Sequence, residues 1–322
     1  LNATMIDTLE AIDLGGTTQW IRTRGVAESN PTLLMIQQGP GLPMLNEARH
    51  FERTLGLEQD FTVVYWDQRG CGRSLRDERG QSEISLDRMS RDAVSLLEVL
   101  RDRSGGESYV VGFSFGATVG ATAAARRPDL VRALVPVGMD IDGEAAASCA
   151  YDFALQTAQA RGKRRAARQL ETVGPPPHLT AKQFSTRVRW ASNFGGVTTD
   201  ETYGSIARGL MASLLRSPDY SLGDVGRTLR GVAATQEALL SELAVMDLAR
   251  SLPVIDVPVV MAQGRLDRVA PGEATQRYFD QLNAPSKRLV WFEQSAHTPQ
   301  LEEPQLFRSL MLQVRAGEYA SQ

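Results

Sequence analysis

The sequence predicts an α/β fold: a mostly parallel sheet flanked by helices, with an inserted helical lid. Three observations carry this prediction. Short apolar runs alternate with amphipathic helical patterns up to about residue 142. The alternation then gives way to alanine- and arginine-rich helical patterns and resumes at Ile255. Finally, the residues best suited to chemistry fall just past apolar runs, the end at which open parallel sheets carry their sites. The expected organisation is a core over residues 1–142, a lid over 143–250 and the rest of the core over 251–322.

Residues 7–25 read as a hairpin around Gly15-Gly16, with alternating character from Thr18 to Thr23. Strands are expected at 32–37 and 61–66, then a helix from Leu86 to about Arg101. Met89, Ala93, Leu96, Leu97 and Leu100 recur there at helical spacing, and Ser85 stands where an N-cap belongs. The runs 108–111, 132–139, 257–262 and 289–292 read as further strands. In the lid, Ile206, Leu210, Leu214 and Leu215 make one apolar stripe, and Ala238, Leu239, Glu242, Leu243 and Met246 another; both read as packing faces. Pro175-Pro176-Pro177 reads as a rigid turn. The basic run Arg161, Lys163, Arg164, Arg165 and Arg168 reads as a solvated helix face.

With 322 residues, 42% of them hydrophobic, the chain can bury a large core. Its net charge of −3 argues against a nucleic-acid or anionic-membrane partner. No apolar run is long enough for a transmembrane helix, and Leu1 to Met5 show no basic-then-apolar export pattern, so a cytoplasmic location is expected. Two cysteines, Cys71 and Cys149, do not make a disulfide framework, and Cys71 reads as a buried small residue. With no cysteine–histidine cluster at metal spacing and no phosphate loop, neither a metal nor a cofactor is expected. Nothing in the chain indicates an oligomeric state.

Gly112-Phe113-Ser114-Phe115-Gly116 follows an apolar run and precedes a small-residue helical segment. A strand, a sharp turn carrying a serine and then a helix make a nucleophile elbow, with glycines letting strand and helix approach. A serine needs a base. Of the three histidines, His297 follows an apolar run, whereas His50 reads as a helix-surface residue and His178 as exposed. Asp267, just past the run 257–262, supplies a carboxylate between serine and histidine in chain order; Asp140, past the run 132–139, competes for that role. Asp67 and Asp92 read as structural, in a turn and in a helix-surface pair. Oxyanion donors are expected from the backbone N–H groups of Phe115 and of Gly39, in the loop Gln37-Gln38-Gly39-Pro40-Gly41. Gln37, Gln38, Trp190 and Phe194 are candidate substrate contacts; the alternatives are loop hydrogen bonding for the glutamines and space filling for the aromatics.

The segment Asp67-Gln68-Arg69-Gly70-Cys71-Gly72-Arg73-Ser74, with Gly264 to Asp267 and Ala296 to Pro304, resembles stretches of the proline iminopeptidases within the α/β-hydrolase superfamily. The resemblance fades between about residues 143 and 250. It implies a triad of Ser114, Asp267 and His297, and a structural role for Asp67 to Ser74 in bracing the oxyanion turn. The chain departs from that family by having Gln37-Gln38 where His-Gly is usual, Phe115 where tryptophan follows the nucleophile, and no acid in the stretch Trp190 to Gly196. A lid carboxylate that binds the substrate amine is thus missing from its usual place. The expected function is cleavage of an ester or amide bond of a small molecule or short peptide by an acyl-enzyme route. The alternatives are an esterase, thioesterase or lactonase for a bulky non-peptide metabolite, a cofactor-free lyase, or a ligand-binding protein on the same fold.

Overall fold

The chain opens with a hairpin, β1 (Ile6–Leu14) and β2 (Thr17–Gly25), turned at Gly15 and Gly16, both at positive φ. The computed structural model describes residues 6–81 and 83–320. The expectation about an export signal falls on residues 1–5, outside the described residues. Strands β3 (Thr32–Ile36), β4 (Thr62–Asp67), β5 (Ser108–Phe113), β6 (Val131–Val137), β7 (Val259–Gly264) and β8 (Lys287–Phe292) complete one sheet. Its order is β1-β2-β4-β3-β5-β6-β7-β8. The pairs β1/β2 and β2/β4 are antiparallel and the others parallel. Strands β3, β5 and β7 are buried at every position, which is why they read as continuous apolar runs rather than alternating ones. Strand β7 begins two residues later than the run 257–262 suggests. Pro258 has no N–H to give a ladder, and pairing with β8 starts at Val259.

Before the insertion come α1 (Ala48–Leu55), α2 (Leu86–Ser104) and α3 (Phe115–Arg126). Ser85 Oγ caps α2 by accepting from the N–H of Arg88 at 3.1 Å, and Gly105, left-handed, ends it. The insertion is helical throughout: α4 (Gly143–Ala160), α5 (Arg164–Val173), α6 (Ala181–Asn193), α7 (Tyr203–Arg216) and α8 (Leu222–Ala244). Its two ends are pinned together. Asp142 and Asp247 form a bridge, the Gly143 N–H donates to Met246 O at 2.9 Å, and the Leu248 N–H donates to Ile141 O at 2.9 Å. The chain then adds α9 (Leu248–Ser251), α10 (Gly272–Gln281), α11 (Pro299–Glu302) and α12 (Pro304–Arg315).

Alternate residues of the strands feed two apolar clusters, because successive side chains leave a strand on opposite faces. Leu34, Val64 and Val110 join Leu96 and Leu97 of α2, Val119 of α3 and Tyr278 of α10. Leu33, Val63 and Val111 join Phe51 and Leu55 of α1 with Phe307 and Met311 of α12. The α7 stripe is narrower than its pattern suggests, with Leu214 buried but Leu215 54% exposed. The basic run around α5 is exposed, as a solvated face should be. Asp92 is corrected: it is not on a helix surface but buried, gripping Arg69 at 2.7 and 3.0 Å and accepting from Gln19 at 2.6 Å. Helix α2 turns that face inward, so a charge there persists only because a cation is buried with it.

Candidate active site

Strand β5 passes into α3 through Ser114, whose φ of 52° and ψ of −123° make it the one non-glycine at positive φ among the described residues. Such a conformation costs about 1–3 kcal/mol and persists only where its surroundings enforce it. Here the Ser114 N–H donates to Val137 O at 2.8 Å. The flanking glycines are required by contact. A Cβ on Gly112 would meet Gly116 O at 2.4 Å, and one on Gly116 would meet Gln37 O at 2.3 Å. The second contact also presses the loop after β3 against the first turn of α3.

His297 and Asp267 arrive from the loops after β8 and β7. Ser114 Oγ lies 2.9 Å from His297 Nε2, and His297 Nδ1 lies 2.8 Å from Asp267 Oδ2. The other oxygen of Asp267 accepts the N–H groups of Val269 and Ala270 at 2.7 and 2.9 Å, which fixes the carboxylate. The histidine loop is held by Glu302, which accepts from the backbone N–H groups of Ala296, Thr298 and Thr199. Glu303 accepts from the backbone N–H of Gln294 at 3.1 Å and from the Ser295 hydroxyl at 2.6 Å. Burial pulls the His297 imidazole down, but the charge and hydrogen bond of Asp267, helped by Asp140, outweigh it and leave its pKa above the ordinary 6.5. A hydroxyl, imidazole and carboxylate in this sequence is the arrangement that activates a serine.

Asp67, at the end of β4, is fully buried and ties three segments together. It accepts from Met44 N and Leu45 N in the loop after β3 at 2.7 and 3.1 Å, from Arg73 N at 2.6 Å, and from Tyr220 Oη at 2.5 Å. A Cβ on Gly72 would sit 2.0 Å from its Oδ2, so glycine there is what lets the turn close on it. The loop thus braced presents Gly39, whose N–H makes no hydrogen bond within the protein among the described residues. The N–H of Gln38 is taken by Gln37 Oε1 at 2.8 Å, and Gln37 Nε2 donates to Pro43 O at 2.9 Å. Phe115 opens α3, where backbone N–H groups lack helical partners and the helix dipole is positive.

Ser114 opens into a cavity of about 380 Å³ between the strand ends and the insertion. Gly39, Pro40, Asp140 and Val269 line it from the core, and Ala147, His178, Arg187, Leu240, Leu243 and Met246 from beyond β6. Five residues sit otherwise than expected. Gln37 is not at the cavity, because both ends of its amide are spent inside its own loop, and Gln38 does not line it either. Trp190 and Phe194 stack on each other with centroids 5.7 Å apart, in the cluster of α4, α5 and α6, away from the cavity wall. Trp190 spends its Nε1–H on Gln169 at 3.0 Å. His178 is buried, not exposed: its Nε2 bonds Gly174 O at 2.9 Å and its Nδ1 lies 3.1 Å from Arg187 Nη1. His50 is exposed and Cys71 buried, as the sequence suggests.

Asp140 Oδ2 lies 3.4 Å from Ser114 Oγ. Burial pushes its carboxyl up to about 6, against the opposing pull of His297 and Arg187. It stands just past the end of β6 and faces the nucleophile without being the partner of His297.

A family model described as alpha/beta hydrolase fold matches residues 31–304. The chain belongs to that family. It is a hydrolase of the α/β-hydrolase fold with an inserted helical segment. It is 28% identical over 304 residues to a probable aminopeptidase from Bacillus subtilis (strain 168), covering 94% of each chain. It is also 28% identical over 260 residues to a 2-(acetamidomethylene)succinate hydrolase from Mesorhizobium japonicum, covering 79% of this chain and 86% of that one. Among solved structures, a proline iminopeptidase-related protein from Thermus thermophilus superposes with a TM-score of 0.65 at 17% identity, over 95% of both chains. Among the described residues, no helix of this α/β-hydrolase is long and apolar enough to cross a membrane.

Sequence reasoning missed Arg187 and His178 as cavity residues. Neither follows a strand, and each stands in the part of the insertion where the family resemblance fades. Asp140 had the one usable signal, its position at the end of an apolar run.

Proposed function

We propose that this α/β-hydrolase is a serine hydrolase that cleaves an ester or amide bond of a small molecule or short peptide through an acyl-enzyme intermediate. The observation that carries the reading is the unbroken hydrogen-bonded series from Ser114 through His297 to Asp267, at 2.9 and 2.8 Å. Ser114 Oγ attacks the carbonyl carbon as His297 Nε2 takes its proton, and Asp267 stabilises the imidazolium that forms. The N–H groups of Gly39 and Phe115 receive the oxyanion. His297 then gives its proton to the departing alcohol or amine, leaving the acyl group on Ser114. Water, deprotonated by the same histidine, attacks that ester, and the proton returns to Ser114 as the acid leaves.

One observation favours an aminopeptidase form of this chemistry. A free α-amine sits one carbon from the attacked carbonyl, so a carboxylate beside the nucleophile is suitably near to meet it. Asp140, 3.4 Å from Ser114 Oγ, is such a group, and it comes from the end of β6 rather than from the stretch Trp190 to Gly196. The likeness to the B. subtilis probable aminopeptidase accords with this reading. The largely apolar cavity wall equally suits an ester of an uncharged acid.

Rapid quenching with a p-nitrophenyl ester, followed by peptide mass mapping, tests the route. A stoichiometric burst and an acyl adduct on the Ser114 peptide are expected; turnover with neither would contradict it. Comparing alanine and proline p-nitroanilides with their N-acetyl forms then separates the substrate classes. Preference for the free amines, lost in Asp140→Asn, supports the aminopeptidase form, and indifference to the amine supports an esterase.

A further inference from the structure

Arg187 is a cation whose hydrogen bonding is incomplete. It projects from α6 into the wall of the Ser114 cavity, with its guanidinium carbon 5.2 Å from the centre of the Phe184 ring. Nη1 donates to His178 Nδ1 at 3.1 Å, and that imidazole is oriented in turn by Nε2–H donating to Gly174 O at 2.9 Å. The contact at Nδ1 requires His178 neutral, and the one at Nε2 places its single ring proton there. Burial, reinforced by the charge of Arg187, depresses its pKa against the pull of Gly174, which keeps it neutral. Nε is shut away with no hydrogen-bond partner, and no carboxylate is in ion-pairing contact with the guanidinium among the described residues. Burial drags its pKa down to about 10, and Asp140 is the one charge that opposes this, at a distance.

A guanidinium enclosed in this way, with no protein carboxylate paired to it among the described residues, carries a desolvation cost that a paired one does not. None of the other charged groups on the wall pairs with it directly. Asp142 spends Oδ1 on capping α4, accepting from Ala145 N at 2.9 Å, and Glu144 is exposed to solvent. Asp140 faces Ser114 instead. The neighbouring wall is apolar, with Ala147, Val188, Leu240, Leu243 and Met246. We propose that the cavity takes a substrate bearing a carboxylate, which pairs with the guanidinium of Arg187 while His178 holds that group in place. An apolar cavity with a single guanidinium suits an organic monoanion better than a polyanion such as a phosphate ester.

This deepens the serine-hydrolase reading by naming a substrate class for the same site, but its test does not depend on turnover. Binding of 4-phenylbutyrate and of the uncharged 4-phenylbutyramide to the full-length protein would be measured by calorimetry. The wild type should bind the carboxylate at least about tenfold more tightly than the amide, the ratio that one charge-assisted pair supplies. Arg187→Gln should abolish the preference and Arg187→Lys should keep part of it, with circular dichroism reporting the fold of each. Equal affinities in the wild type, no measurable carboxylate binding, or a preference that survives in a folded Arg187→Gln would overturn the proposal. The wild-type comparison decides even if a variant does not fold. Failure of the hydrolase reading would show separately, as a Ser114 that forms no acyl adduct.

Discussion

Ser114 is held in a backbone conformation that residues other than glycine rarely adopt, and the strain leaves its Oγ facing His297 above the strand ends. The imidazole must be neutral to accept the serine proton, and its pKa is raised above 6.5 by Asp267 and Asp140. Activity should therefore fall as pH drops through a value above 6.5, by about tenfold per unit once His297 is mostly protonated. Because Asp140 is one of the anions holding the proton on His297, Asp140→Asn should move that acid limb to lower pH; a kcat/KM profile of both proteins checks the sign. Asp267→Asn should cost about 10³–10⁴ in kcat by disturbing the tautomer and removing the charge behind it, with the fold retained. At this scale the sequence was most informative where the chemistry is coded by order and context. Ser114, Asp267 and His297 each follow a strand, and the structure brings them together. Gln37 was harder to read, because a glutamine that satisfies its own loop and one that meets a substrate look alike in a sequence.

The elements around the site are held by contacts that leave little room for substitution. Gly112 and Gly116 let β5, α3 and the loop after β3 meet, and Cβ atoms there would fall 2.3–2.4 Å from backbone oxygens. Gly116→Ala should therefore lower the urea midpoint and, in whatever fraction folds, reduce kcat more than it raises KM, since the N–H of Phe115 moves with that turn. Glu302 fixes the histidine loop through backbone N–H groups on either side of His297. Glu302→Gln turns one of its acceptor oxygens into a donor, and a kcat reduced about 10–100-fold with a small change in stability is expected. Strands and core helices were legible because their periods are imposed by burial: β3, β5 and β7 as unbroken apolar runs, α2 as a stripe with its cap. The errors have the same origin. Asp92 lies on the buried face of α2, and no local signal announces that Arg69, from another element, is waiting there.

Across the whole molecule, two buried carboxylates organise the fold around the site. Asp67 joins the end of β4, the loop after β3 and the segment between α7 and α8, while Asp92 joins α2 to Arg69 and to β2 through Gln19. Asp92→Ala would strand the Arg69 guanidinium in the core and should cost about 3–5 kcal/mol, read as a lower denaturant midpoint at unchanged slope. The insertion closes the cavity over Ser114, and its ends are pinned at Asp142 and Asp247. Its helical character was readable, but which of its faces meets the cavity was not. Stripes of alanine and leucine specify packing without specifying a partner, and Trp190 and Phe194 went to one another while Arg187 and His178 reached the wall. An activated serine at residue 114 underlies all of this chemistry, and labelling with a fluorescent phosphonate followed by peptide mapping reads it directly. Stoichiometric labelling of the Ser114 peptide, abolished in Ser114→Ala and strongly slowed in His297→Gln, is the predicted result. A folded wild type that takes no label, or takes it at another residue, would contradict the account.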